Sequence, residues 1–204
     1  MRISLPDIRS ILAIPTIYRL FSNLIGGDAR CLYVDKHIRP RYGDKILDIG
    51  CGSADILSYL PSVEYVGLDS SQAYINSAKK RFGNRGTFLT KKVSKNAINE
   101  VSFFDIVLAG GVLHHLDDNE ALQLFELARS ALKKGGRLIT LDGCYTEEQS
   151  LTARFLLSID RGRYLRTKDQ YLCLASEAFT DIKVSIYHDL IRIPYTHIIM
   201  ECKA

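Results

Sequence analysis

The five cysteines of this 204-residue sequence, Cys31, Cys51, Cys144, Cys173 and Cys202, form no C-x-x-C pair. A disulfide framework or a zinc site needs closely spaced thiols in sets, so this odd, scattered group reads as reduced cysteines in a cytoplasmic protein. No apolar run approaches the roughly 20 residues that span a bilayer. Pro6, Asp7 and Arg9 interrupt the stretch where a secretory signal would be apolar. Neither sign of charge is in large excess: the net is +4, too mild to imply nucleic acid by itself. There is no internal repeat and no low-complexity segment. With 47% apolar and 25% charged residues, what remains is an ordinary globular chain with enough length for one full-sized core.

What is present is an alternation of short apolar runs and amphipathic stretches. Residues 8–25 and about 28–38 have helical spacing, broken at Pro15 and stopped by Gly26-Gly27. Strands are expected at Ile46–Ile49, Tyr65–Leu68, Thr87–Leu89, Asp105–Ala109 and Arg137–Asp142. The helices between them cover 54–60, about 71–82 and a stretch opened by an Asp117/Glu120 capping box that stops at Lys133-Lys134-Gly135-Gly136. Beyond residue 142 the rhythm changes. Helices are read at 147–160, with Leu151, Phe155, Leu156 and Ile159 on one face, and from Thr167 to Phe179 behind a Thr167/Gln170 box. Two strands, 181–188 and 196–203, then follow as an antiparallel hairpin. Strand–helix alternation with short turns predicts an α/β fold with a doubly wound, mostly parallel sheet.

The stretch at 45–55, Lys-Ile-Leu-Asp-Ile-Gly-Cys-Gly-Ser-Ala-Asp, organises this pattern. Gly50 and Gly52 flank Cys51, so the backbone can turn sharply and approach a ligand with no Cβ in the way. The following helix is expected to begin near Ala54 and aim its free N–H groups into the same space. In open α/β sheets that space is the switch point beside the first strand. Asp48, Asp55 and Asp69 are expected to converge there, and Asp69 stands where dinucleotide folds place a ribose-hydroxyl acceptor. The dinucleotide fingerprint G-x-G-x-x-G fails at its third position, Asp55, whose charge would oppose a pyrophosphate. A nicotinamide oxidoreductase is thereby disfavoured, and a cationic, phosphate-free ligand with ribose hydroxyls suits three acids well.

Five ordered motifs extend this reading: Leu-Asp-Ile-Gly-Cys-Gly (47–52), Tyr-Val-Gly-Leu-Asp (65–69), Phe-Asp-Ile-Val-Leu-Ala (104–109), Val-Leu-His-His-Leu (112–116) and Leu-Lys-Lys-Gly-Gly-Arg-Leu (132–138). In order and spacing they resemble class I S-adenosylmethionine (SAM)-dependent methyltransferases, in particular small stand-alone bacterial members. The resemblance implies a Rossmann-like, seven-stranded sheet with an antiparallel final strand and helices on both faces. The motifs cover roughly residues 43–142, the expected SAM-binding core; length suggests a single domain over 1–204, with N-terminal helices (1–42) that either pack on the sheet edge or cap the ligand, a helical acceptor-side insertion (143–180) and a terminal hairpin (181–204). The resemblance also implies that SAM is the methyl donor and a small or medium-sized metabolite the acceptor, at oxygen, nitrogen or carbon. Gly50, Cys51 and Gly52 would hold the methionine portion by backbone; on the residues themselves, Asp48 or a nearby backbone carbonyl is the candidate partner for its ammonium. Asp69 would take the ribose hydroxyls, Ser70 would lie beside the adenosine, and Ala109 and Gly110 would border the reactive methyl. Two positions depart from the pattern. Ala54 replaces a third glycine, and Lys91–Ser94 lacks the usual acid for the adenine amino group, leaving Val93 backbone or Ser94 for that contact. Tyr18 and Arg30 are candidates for the cofactor carboxylate.

Methyl transfer is an in-line displacement that mainly needs alignment, and a base helps where the acceptor must lose a proton. His115 and His114, after the fourth strand, are the candidates, His115 slightly preferred. His188 and His197, in the late hairpin, read as structural or surface residues. Arg161, Arg163, Tyr164 and Arg166 lie where this fold covers its acceptor, and the arginines suit a carboxylate or phosphate. DNA amino-methyltransferases need an Asn/Asp-Pro-Pro-aromatic run where this chain has Ala109-Gly110-Gly111-Val112. Catechol-type enzymes need a set of acidic metal ligands of which only Asp142 is available, so no metal is expected. A non-catalytic SAM-binding or partner-binding module, and less readily an RNA methyltransferase, are the competing readings.

Overall fold

The computed structural model describes residues 29–94, 97–160 and 162–204. Helix α1 covers Ala29–Leu32 and continues as a π-helical Tyr33–Ile38. The sheet then begins: β1 (Lys45–Ile49), β2 (Glu64–Asp69), α2 (Gln72–Phe82), β3 (Thr87–Thr90), β4 (Phe104–Gly110), α3 (Asp118–Ala131) and β5 (Leu132–Tyr145). The last part holds α4 (Leu151–Ser158), a two-residue β6 (Arg166–Thr167), α5 (Lys168–Ser176), β7 (Asp181–Tyr187) and β8 (His197–Lys203).

The strand order is β3-β2-β1-β4-β5-β8-β7, with β6 pairing off this path onto β5. All pairings from β3 to β5 are parallel, and β8 runs antiparallel to both β5 and β7. The seven-stranded, mostly parallel expectation holds. The hairpin is antiparallel, but its second strand slots inside its first. Composition explains the order: Ile198, Ile199 and Met200 are fully buried, as a strand covered on both faces requires, whereas β7 is half exposed along its length and makes the edge.

Two apolar layers sandwich the sheet. Leu47, Val107, Leu124, Phe125 and Tyr171 pack on the side of α3 and α5; Tyr33, Ile38, Ile46, Leu108, Ile139 and Ile199 pack on the side of α1. Each such side chain contributes about 1.5–3 kcal/mol by leaving water. A polar latch fixes α1 to the sheet. Glu201 accepts from Arg39 (2.5 Å) and lies 3.0 Å from His37 Nδ1, and Arg137 donates to the His37 and Ile38 carbonyls. Both capping boxes form as expected, Asp117 with Glu120 and Thr167 with Gln170, and Ser71 caps α2.

Four expected boundaries move. The 54–60 helix is only a four-residue 3₁₀ turn, Asp55–Ser58, because Ala54 is left-handed (φ 54°) and Pro61 soon follows. Helix α3 ends at Ala131, and Leu132–Gly136 joins β5 instead of capping the helix. Helix α5 stops at Ser176, short of Phe179. Helix α4 is shorter than 147–160 and turns the other way: Ala153 and Leu157 are buried, while Leu151, Phe155 and Ile159 face out. Residues 1–28, with the helical reading of 8–25, lie outside the described residues.

Candidate functional site

The strand order reverses between β1 and β4, so the crevice at their carboxyl ends is where this architecture receives a ligand. There the Gly50 and Cys51 amides both donate to the Leu68 carbonyl (2.7 and 2.9 Å), folding the turn onto β2. Gly50 has φ 72°, and a Cβ on it would come within 2.3 Å of Val112 Cγ2. No side chain fits. Gly52 (φ 53°) differs, since nothing lies within 4 Å of where its Cβ would be. Ala54 takes a third left-handed conformation with its methyl fully buried, so the departure from glycine is accommodated at about 1–2 kcal/mol of backbone cost.

Gly52→Ala is expected to lower stability by about 1–2 kcal/mol and to put a methyl into the open space over the turn. Urea unfolding and titration with S-adenosylhomocysteine check this. The expected result is a folded protein with lost binding, and full affinity would show that the turn faces no ligand.

Asp69 gathers this end of the sheet. Its Oδ2 accepts from the Gly52 amide (2.9 Å) and its Oδ1 from the Ser71 amide (2.7 Å). A carboxylate has about four acceptor positions, so both oxygens keep capacity for further donors. Ser70 is exposed beside it. The Lys91 amide bonds the Asp69 carbonyl, and Lys91 Nζ the Ala97 carbonyl, which brings half-buried Val93 and Ser94 to the same end of the sheet. Ala109 is buried and Gly110 exposed where β4 ends.

Asp48 is buried and accepts from Tyr65 Oη at 2.5 Å. Desolvation pushes its carboxyl up to about 7; the Tyr65 bond opposes this and the Asp69 charge adds to it. Burial likewise raises the Cys51 thiol far above its ordinary range, leaving it inert. Asp55 is a correction. Its carboxylate is paired with Arg81, which also holds Ser58, so its charge is already offset and the expected trio of free acids reduces to Asp48 and Asp69. With no regular helix after Ala54, the expected row of helical N–H donors does not form; the turn instead leaves open space over Gly52, whose own amide is donated to Asp69.

The second half of the site lies beyond β4 and β5. His114 is buried in a 3₁₀ turn, Leu113–His115. Its Nδ1 lies 2.7 Å from Asp142 Oδ1, which also accepts its backbone N–H (3.2 Å). Its Nε2 lies 3.7 Å from Asp160 Oδ1, and Asp160 Oδ2 accepts from Tyr195 Oη (3.0 Å). Gly162 presses on the ring: a Cβ there would stand 2.2 Å from His114 Cδ2. Asp142 Oδ2 and His197 Nδ1 are buried without a hydrogen-bond partner. Burial raises the Asp142 carboxyl and lowers His197 to about 4. His115, the preferred base from the sequence, is exposed with its ring 4.2 Å from that of His114, and Asp142 and Asp160 lie against His114. His188 contacts Thr196, 3.2 Å away.

Arg166 is a further correction. It is buried, and its donors are spent on the protein, so it is closed to an acceptor anion. Arg163 and Tyr164 are exposed and Arg30 is half-buried in α1; Arg161 and Tyr18 lie outside the described residues. Sequence reasoning missed Asp160 and Tyr195, and took Asp142 only as a failed metal ligand. Four separate segments supply this cluster, so no spacing announces it. Among the described residues no group of three or more His, Cys, Asp or Glu could hold a metal ion, and no helix is long and apolar enough to cross a membrane.

Residues 47–138 match the family described as a methyltransferase domain. No curated protein sequence matches the chain. Among solved structures, the chain is similar to a TehB-like SAM-dependent methyltransferase from Corynebacterium glutamicum, with TM-score 0.70 and 19% identity over 97% of this chain and 100% of that one. It is also similar to the pyocyanin biosynthetic protein PhzM (TM-score 0.72, 20% identity, 97% of this chain and 62% of that one). A third likeness is to Haemonchus contortus phosphoethanolamine N-methyltransferase 2 in complex with phosphomonomethylethanolamine and S-adenosylhomocysteine (TM-score 0.72, 18% identity, 97% and 58%). The chain thus spans about three fifths of the last two, and at these identities the likeness is one of fold.

Proposed function

From a chain that belongs, through residues 47–138, to the methyltransferase domain family and has the class I SAM-dependent fold, we propose an enzyme that methylates a small or medium-sized metabolite. The observation that carries the reading is Asp69, whose carboxylate meets the open Gly52 backbone at the switch point. The residues fit the donor. Gly52 leaves room that a Cβ would fill, and Asp48 and Asp69 suit a cation with ribose hydroxyls.

When bound, SAM supplies a methyl group already activated on a sulfonium. The chain's part is to orient and to exclude water. Asp69 takes the ribose hydroxyls, the 50–52 backbone and Asp48 the methionine end, and Val93 or Ser94 the adenine. Ala109 and Gly110 border the methyl. Residues 143–180 form the acceptor side, where His114, held by Asp142, takes up the proton that an O–H or N–H acceptor loses. The five free cysteines and mild charge suit a cytoplasmic enzyme of small molecules.

Asp48 ties this reading to pH. Its folded-state pKa of about 7 exceeds the ~3.9 of an unfolded aspartate. The group therefore favours the folded state below about pH 4, and that contribution is lost as pH rises through about 7. Pairing with the donor's ammonium requires the ionised form, so SAM affinity should rise several-fold from about pH 6 to about pH 7.5, with proton release on the acid side. Calorimetric titration in wild type and Asp48→Asn tests this: the rise should vanish in the variant. Turnover over a panel of O–H, N–H and C–H acceptors completes the test. No SAM binding would sink the reading, and binding with no turnover would leave a non-catalytic binder.

A further inference from the structure

Arg166 is the least ordinary buried group outside the donor crevice. It is 5% exposed, and its five N–H donors are all engaged. Nε and one Nη2 hydrogen go to Asp118 Oδ1 (3.1 and 2.7 Å), Nη1 to the Leu113 and Tyr164 carbonyls (2.9 and 3.1 Å), and the other Nη2 hydrogen to the Leu116 carbonyl (2.8 Å). Its guanidinium carbon stands 5.9 and 5.8 Å from the Tyr164 and Tyr171 ring centres. The two carbonyls at 113 and 116 bracket the histidines: the Leu113 carbonyl also accepts the Leu116 amide (3.2 Å) that closes the 3₁₀ turn, and the Leu116 carbonyl lies beyond the turn's own bonds. Tyr164 in turn donates its amide to the His114 carbonyl at 3.0 Å. The histidine turn is therefore held from the far side by one cation that belongs to the segment leading into α5.

We infer that Arg166 is a positioning residue for methyl transfer: it clamps the 113–116 turn so that His114 keeps its place between Asp142 and Asp160. This rests on the methyltransferase reading above. A lysine keeps the charge but lacks the planar fork that reaches these acceptors together, so charge alone does not do this work.

The test compares wild type with Arg166→Lys, Arg166→Ala and Asp118→Asn. Asp118 is 75% exposed at its side chain, so that variant folds and removes only the charged acceptor. In Arg166→Lys the amides of residues 113–116 should exchange with solvent about tenfold faster, while those of β1 and β2 do not change. Turnover of whichever acceptor the panel identifies should fall about tenfold or more in kcat, with S-adenosylhomocysteine affinity within about twofold of wild type. Guanidinium ion should restore part of the kcat of Arg166→Ala, and Asp118→Asn should show a smaller loss of the same kind. Unchanged exchange at 113–116, or a kcat that falls only in step with donor affinity and thermal stability, would overturn the clamp. Absence of any wild-type turnover would instead sink the functional reading, with the exchange comparison still deciding the clamp.

Discussion

Asp69→Ala should weaken S-adenosylhomocysteine binding by about 10²–10⁴-fold in a calorimetric titration. The estimate follows from two hydrogen bonds to a charged acceptor at about 1.5–3 kcal/mol each, with about 1.4 kcal/mol per tenfold of affinity. The same carboxylate holds the Gly52 and Ser71 amides at 2.9 and 2.7 Å, so its removal also frees the turn that must stay open to the ligand. Asp69→Asn separates these contributions: its amide oxygen can keep one backbone contact, but the charge is gone. Circular dichroism should stay native in both variants, because the residue is only half-buried and outside both apolar layers. An affinity within about twofold of wild type in Asp69→Ala would mean that the donor does not sit at the end of β2.

The second large effect belongs to His114 and Asp142. Asp142 is 2% exposed and its Oδ2 already lacks a partner, so His114→Ala leaves a buried carboxylate with neither side-chain contact. Breaking a buried pair costs about 3–5 kcal/mol. Here about 2–4 kcal/mol is expected, because burial already raises the Asp142 carboxyl and protonation can relieve part of the strain. For a domain of this size that is a drop in Tm of roughly 5–15 °C. Asp142→Asn keeps the volume and a hydrogen-bonding partner, so it should melt closer to wild type yet lose about 10²–10⁴-fold in turnover of an O–H or N–H acceptor. Turnover retained in Asp142→Asn would assign the pair to structure alone. Each outcome is read from a thermal melt and a rate on the same preparation.

The parts of the site that the sequence makes legible are those written in consecutive residues. Leu-Asp-Ile-Gly-Cys-Gly gives a strand and a glycine turn because both follow from local sterics, and Asp69 ends the next apolar run. The Asp117/Glu120 and Thr167/Gln170 boxes form as read, since their partners are three residues apart. The failures are equally local in appearance and non-local in cause. Asp55 looks like a third ligand acid, but Arg81, 26 residues away, claims it. Leu151, Phe155 and Ile159 share a helical face, yet packing against the sheet chose Ala153 and Leu157. Arg166 looks like a solvent-exposed anion binder and is buried among carbonyls 50 and 53 residues away.

By itself, then, the sequence determined the layered α/β architecture, the family that residues 47–138 match and the glycine–aspartate frame at the switch point. Periodicity, capping and turn chemistry act over a few residues and need no knowledge of the rest of the chain. Only the tertiary structure decided that β8 lies inside β7, that His114 meets Asp142 and Asp160, and that Arg166 braces their turn. Those outcomes depend on which buried polar groups find partners once the layers close. That choice is made by desolvation across segments far apart in the chain.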